Sequence, residues 1–277
     1  MFQFDGFHID SSYGWSMTKK NWGTFWFKGY IYNFSSSAEF AEKLYRVIED
    51  SDPIAIKKFL SEVDGHFAIA IKTVDLFFAA VDRIRSIPLF FVDRQSTFLL
   101  TDQPHRIINK LNKSELTVNL DARLMLNMSG YCSRDSTLLS GMRQLQSGEY
   151  LKFDVSNKIR VNRYYNYHPF NPIEDQRELD LKKDLEVITT RIIQKIIDSA
   201  EGRMIVVPLS GGLDSRLVVS GLANLGYKNV KCFSYGRKNN FESLTSKIIA
   251  KKLGYDWKFI KLSNSIIKKD YQSDLHK

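Results

Sequence analysis

Two adjacent glycines, Gly211 and Gly212, constrain this chain more than any other feature, because of what flanks them. Before them, Met204-Ile205-Val206-Val207-Pro208-Leu209 is a short apolar run that predicts a buried strand. After them, Asp214 opens a helical stretch over 214–225. A second strand at Lys231–Tyr235 and a second helix at 242–253 complete a β-α-β-α run, which implies a parallel sheet with crossover helices.

The turn itself, Ser210-Gly211-Gly212-Leu213-Asp214-Ser215, reads as an anion site. Consecutive glycines bring backbone N–H groups to a ligand without a Cβ in the way. The helix start adds unpaired N–H groups and the positive end of its dipole, which suits phosphates. Ser210 and Ser215 offer hydroxyl donors. Asp214 beside phosphates makes sense as a ligand to a bridging Mg²⁺, which usually takes one or two carboxylates plus phosphate oxygens. No Gly-Lys-Ser/Thr ending follows, so this is not a Walker A loop. The competing reading is a glycine-rich turn with no ligand.

The rest of the chain sets the context. The formal charge is +9, but lysines such as Lys182, Lys183 and Lys195 are scattered along amphipathic segments. With no basic block interleaved with aromatics, this reads as a solvated surface and argues against a nucleic-acid partner. Cys132 and Cys232 stand far apart with no CxxC, which excludes the common zinc patterns. The N-terminus lacks the pattern of a signal peptide. No run reaches the roughly 18 apolar residues of a membrane span. A reducing cytoplasm is the expected location.

Residues 1–170 read as β-rich. Gly29–Phe34 is strand-like, Ser36 or Ser37 caps a helix through Asp50, and Pro53 starts another. Phe67–Lys72 with Leu76–Val81, and Leu89–Val92 with Phe98–Leu100, form hairpins whose near-continuous apolar character predicts cover on both faces. A short helix follows Asn119, and Glu149–Phe153 pairs with Ile159–Tyr164. Pro169 and Pro172 mark a connector, so the domain boundary falls near residue 170. A long helix over 175–200 then presents Leu181, Leu185, Ile188, Ile192 and Ile196 on one face.

These motifs carry a resemblance. Leu209-Ser-Gly-Gly-Leu-Asp-Ser215 resembles the pyrophosphate loop of the N-type ATP pyrophosphatases, specifically of asparagine synthetases. Phe233-Ser234-Tyr235-Gly236 resembles the strand end that lines their adenine pocket, and Glu242–Gly254 their next helix. Glu242 also reads simply as a carboxylate favoured by that helix dipole. Upstream, Val63–Ala70 is similar to the family's "LDGMFAFA" strand, Asp82-Arg83 with Ile87–Phe91 to "RDRFGIKPLYY", Gly29–Asn33 to "GEIYN", and Gln144–Tyr150 to "KLPPGHYL". The ordered succession covers nearly the whole chain.

The resemblance implies an α/β protein in two parts. Residues 1–170 would be a layered α+β glutaminase-like domain of the N-terminal nucleophile type. Residues 171–277 would be the first part of a parallel-sheet, adenine-nucleotide alpha hydrolase-like domain. It implies ATP and Mg²⁺ as cofactors, with Leu209, Ser210, Gly211, Gly212, Leu213, Asp214, Ser215 and Tyr235 at the nucleotide and Asp214 at the metal. The implied partners are a small-molecule carboxylate and an amine or ammonia, in a chain compatible with a homodimer. No covalent protein nucleophile is assigned.

Three departures qualify the resemblance. The family begins Met-Cys-Gly-Ile, and its thiol attacks glutamine; here Met1-Phe2-Gln3-Phe4 stands in its place, so the glutaminase is expected to be silent. No "RGPD" is found near Ser11–Ser16, "GSDTE" is reduced to Asp50-Ser51-Asp52-Pro53, and only Asn33 matches a glutamine-binding residue. The synthetase domain stops at Lys277, where a fragment is the expectation, because so short a parallel sheet would leave apolar surface uncovered. Finally, Arg216 occupies a position where the synthetases carry a small residue. Pairing with a phosphate or carboxylate, and a helix-surface salt bridge, are both open to it.

Overall fold

The computed structural model describes residues 3–7, 14–50, 52–94, 97–109, 111, 116–154, 159–168, 177–237 and 240–274. The chain divides into two compact units, residues 1–170 and 171–277.

The first unit stacks two sheets between helices. One sheet has six antiparallel strands in the order β10-β9-β5-β4-β3-β2: β2 Ser16–Lys20, β3 Gly23–Ile31, β4 Gly65–Lys72, β5 Leu76–Val81, β9 Glu149–Asp154 and β10 Ile159–Arg163. The other, in the order β1-β7-β6-β8, joins β1 Gln3–Phe7, β6 Phe90–Arg94, β7 Thr97–Thr101 and β8 Met142–Gln144, with only β1 and β7 parallel.

Side chains alternate across the strands and so define the layers. Phe67, Ile69 and Ile71 of β4, with Phe78 and Ala80 of β5, pack under α1 (Ser37–Glu49) and α2 (Pro53–Glu62). Their neighbours Ala68, Ala70, Phe77, Ala79 and Val81 meet Phe91, Phe98 and Leu100 of the second sheet. Val92, Leu99 and their sheet neighbour Met142 point to that sheet's outer side, where Ile107 of α3 (Pro104–Ile108) packs on them. The order is helix, sheet, sheet, helix. The cover predicted on both faces is present, which is why these strands read as apolar throughout. Both predicted helix starts are capped: Ser36 accepts from the Glu39 N–H, and Asp52 accepts from Ile54 and Ala55 ahead of Pro53. Asn119 likewise caps α4 (Leu120–Ser129).

The second unit starts with α5 (Glu178–Ala200) and continues as β11 (Ile205–Pro208), α6 (Leu213–Asn224), β12 (Val230–Gly236), α7 (Phe241–Leu253), β13 (Asp256–Lys261) and α8 (Asn264–Asp274). The three strands are parallel, in the order β11-β12-β13. Ile193, Val219, Leu222 and Ala250, from α5, α6 and α7, pack with Val207, Leu209, Val230 and Cys232, all on one face of this sheet.

Two expectations change here. The run 204–209 is only half buried: Val207 and Leu209 are core, while Met204 and Val206 are more than half exposed, because the packed helices sit over one face. On α5, Leu181, Leu185, Ile188 and Ile192 are exposed, and the buried residue is Ile193. Only the last turns of α5 reach the core. They approach α6 at Gly221, where a Cβ would lie 2.8 Å from Ile193 Cγ1.

Candidate functional site

The glycine turn lies at the carboxyl end of β11, where open α/β sheets bind ligands. Leu209 anchors it. Its side chain is core, its N–H donates to the Phe233 carbonyl at 2.8 Å, and its carbonyl accepts from Ser234 Oγ at 2.7 Å. Beyond Leu209 the turn is locked by two hydroxyls. The Ser210 N–H donates to Ser215 Oγ at 3.1 Å, and the Gly212 N–H donates to Ser210 Oγ at 3.2 Å. The two Oγ atoms are themselves 3.1 Å apart.

Gly212 is the N-cap of α6 and supplies no side-chain acceptor to the first turn. The helix-start N–H groups have no intrahelical acceptors, so Leu213, Asp214 and Ser215 present donors at the positive helix end. Leu213 and Asp214 are exposed. Gly211 packs against the start of α7: a Cβ there would stand 3.3 Å from the Phe241 ring and 3.6 Å from Glu242 Cα. Arg216 Nη2 donates to the Gly211 carbonyl at 3.1 Å, which ties that carbonyl down and leaves the turn lined by N–H groups. Its Nε is buried without a partner. Tyr235 is 58% exposed at the end of β12, beside Gly236 in a left-handed conformation (φ +127°).

Sequence reasoning missed the support beneath the loop. Ser234 Oγ, which holds Leu209, is bonded to Ser246 Oγ of α7, and Trp257 Nε1 donates to both, at 3.1 and 3.2 Å. Ser234 and Ser246 are buried. The available signal was Ser243 and Ser246, small polar residues three apart and in helical register with Ala250 on the buried face of α7.

The donor set fits a polyphosphate: backbone amides, a hydroxyl pair and no Cβ at the two central residues. For Mg²⁺ the turn offers one carboxylate, Asp214, so the remaining ligands would be phosphate oxygens and water. No cluster of three or more His, Cys, Asp or Glu side chains suited to a metal exists among the described residues.

In the first unit, Asn33 is occupied. Its Nδ2 donates to the Glu62 carbonyl at 2.8 Å and its Oδ1 accepts from the Asp64 N–H at 2.9 Å, which clamps the end of α2 to the strand entry. Asp82 is buried and accepts from the N–H groups of Phe67, Ile84 and Ser86 at 2.9–3.0 Å. Arg83 Nη2 donates to the carbonyls of Ser61 (2.6 Å) and Val63 (3.1 Å). The Asp82-Arg83 motif therefore holds the fold. Position 2 and residues 11–13 lie outside the described residues. Cys232 is buried, and burial pushes its thiol up to about 11. Cys132 is half-buried, its thiol 3.7 Å from the Ala122 carbonyl.

A glutamine amidotransferase domain family model matches residues 16–165, more than half of the chain, and an asparagine synthase model matches residues 200–270. The chain belongs to the asparagine synthetase-like family of glutamine amidotransferases. No curated protein matches it. Among solved structures it is similar to a glutamine phosphoribosylpyrophosphate amidotransferase from B. subtilis, at 14% identity over 92% of this chain and 52% of that one, with a TM-score of 0.31. It is also similar to an allosteric regulatory enzyme of purine biosynthesis, at 15% identity over 92% and 51%, with the same TM-score of 0.31. The chain spans about half the length of these proteins. Among the described residues no helix is long and apolar enough to cross a membrane.

Proposed function

We propose that residues 209–215 bind the phosphates of ATP, that Tyr235 borders the adenine, and that this asparagine synthetase-like chain uses the site to activate a small carboxylate for amide formation. The observation that carries this reading is the hydroxyl-locked amide cradle at the carboxyl end of β11. When bound, ATP supplies an activated phosphate that the carboxylate attacks, with pyrophosphate leaving. The residues of this chain position and neutralise. The N–H groups of the α6 start would donate to anionic phosphate oxygens, one hydroxyl of the Ser210–Ser215 pair would donate outward, and Asp214 would hold Mg²⁺. Such catalysis needs no covalent protein nucleophile.

We further infer that the first unit does not hydrolyse glutamine. Both ends of the Asn33 amide are bonded to backbone, and Phe2 stands where the family carries its thiol. The amine is then free ammonia or a substrate amine. The same silence supports a second reading, a nucleotide-binding member of the family without turnover. Exchange of labelled pyrophosphate into ATP with candidate carboxylates separates the two: exchange that needs Asp214 supports the ligase, and ATP binding without exchange supports the second reading. Glutamate release from glutamine by the purified wild-type chain would overturn the silent-glutaminase inference.

A further inference from the structure

The segment matching the "KLPPGHYL" motif takes no part in the site above, yet it lines a pocket of its own. A cavity of about 320 Å³ opens in the first unit, within the lower range of small-ligand sites. Three guanidiniums line it, those of Arg134, Arg143 and Arg163, against two carboxylates, Asp135 and Glu149.

Both carboxylates are already committed. Asp135 Oδ2 is 3.3 Å from Arg143 Nε. Glu149 Oε1 pairs with Arg163 Nη2 at 2.7 Å, and its Oε2 accepts the Gln146 N–H at 2.8 Å. Arg134 has no ion pair among the described residues, so the lining is left with one uncompensated positive charge. The donors exceed the acceptors by more than the charge count suggests, since each guanidinium carries five N–H groups and no acceptor. Arg143 is held in place by the face of Phe91, 4.7 Å from its ring centre, and keeps N–H groups unspent. Most telling is Gln146, whose side-chain Nε2 is buried in this lining without a hydrogen-bond partner. A buried donor left unpaired is costly, and one in a cavity wall is complemented by whatever fills the cavity. The backbone invests here too: Arg134 holds a left-handed conformation at φ +56°, and Gln144 Nε2 reaches the carbonyls of Arg134 and Ser136 at 3.4 and 3.0 Å.

We propose that this pocket is a binding site for a small organic oxyanion, a carboxylate or a phosphate ester, held by the three arginines and the Gln146 side-chain amide. Planar guanidinium forks match both groups, and Phe91 and Val161 give the organic part an apolar wall. The site lies wholly in the first unit and is independent of the ATP reading.

The test is calorimetric titration of the full chain with benzoate and with phenyl phosphate, using benzyl alcohol as the neutral control. Saturable one-to-one binding of at least one anion is expected, with the two arms showing which oxyanion is preferred, and no binding of benzyl alcohol. Arg134→Met and Gln146→Leu should each weaken that binding, Arg134→Met by about tenfold or more, while the melting temperature stays near that of wild type. No saturable binding of either anion up to about 10 mM would overturn the proposal. So would equal binding of benzyl alcohol, or affinity unchanged in either variant.

Discussion

The hydroxyl oxygens of Ser210 and Ser215 stand 3.1 Å apart across the glycine turn and share one hydrogen bond. The pair holds two protons and one mutual bond, so whichever serine donates to the other, one O–H stays free for a ligand. The same pair accepts two loop N–H groups, which fixes the turn before any ligand arrives.

Ser215→Ala removes the shared bond and the acceptor of the Ser210 N–H together. ATP affinity is expected to fall about tenfold or more, and stability by about 1 kcal/mol. Ser210→Ala should behave alike, and the double variant should lose less than the sum, because the two act as one unit. Calorimetry and urea denaturation check both. Independent, additive losses would mean the hydroxyls do not work as a pair.

Ser234 joins the loop to its support by accepting from Trp257 and donating to the Leu209 carbonyl. Ser234→Ala strands buried polar groups and is expected to cost about 1–3 kcal/mol in urea denaturation, with a loss of ATP affinity although the residue never meets the ligand. Unchanged stability would show that the network is not formed in solution.

Cys232 provides a pH signature. Burial disfavours the thiolate and pushes its folded pKa up to about 11, above the ordinary value of 9.0. The folded state therefore holds this proton longer than the unfolded chain. The contribution is fully present below pH 9 and is lost as pH rises towards 11. Across that window the second unit should lose about 2–3 kcal/mol, and Cys232→Val should flatten that part of the curve. Native Cys232 should also resist iodoacetamide at pH 8; rapid alkylation there would contradict the burial.

Asn33→Ala breaks two bonds that pin the α2–β4 connection to the segment following β3. A loss of about 1–2 kcal/mol in the first unit is expected, with glutamate release from glutamine at background in both wild type and variant. Wild-type release abolished by the substitution would return Asn33 to glutamine binding.

Much of this was legible from local chemistry. Ser36, Pro53 and Asn119 announced helix starts because capping and first-turn preferences are short-range effects, and Gly211-Gly212 announced the turn because few other pairs allow so close an approach. The apolar runs of β4 and β5 revealed two covered faces, but not which helices or sheet would cover them. What stayed hidden was long-range. Nothing local shows that Asn33 is consumed by Glu62 and Asp64, 29 and 31 residues away, or that Ser234, Ser246 and Trp257 meet beneath Leu209. The apolar stripe of α5 misled for the same reason. Periodicity identified a helix, while the close approach at Gly221 selected Ile193 as its buried residue.

The most direct test of the central claim is calorimetric titration of the full chain with ATP and Mg²⁺, wild type against Gly211→Val/Gly212→Val and Asp214→Ala. Saturable one-to-one binding to wild type is expected. The double valine should abolish it by placing side chains against Phe241 and Ser210, and Asp214→Ala should weaken it about tenfold when Mg²⁺ is present. Equal affinity in all three proteins, or no binding to wild type, would contradict the central claim.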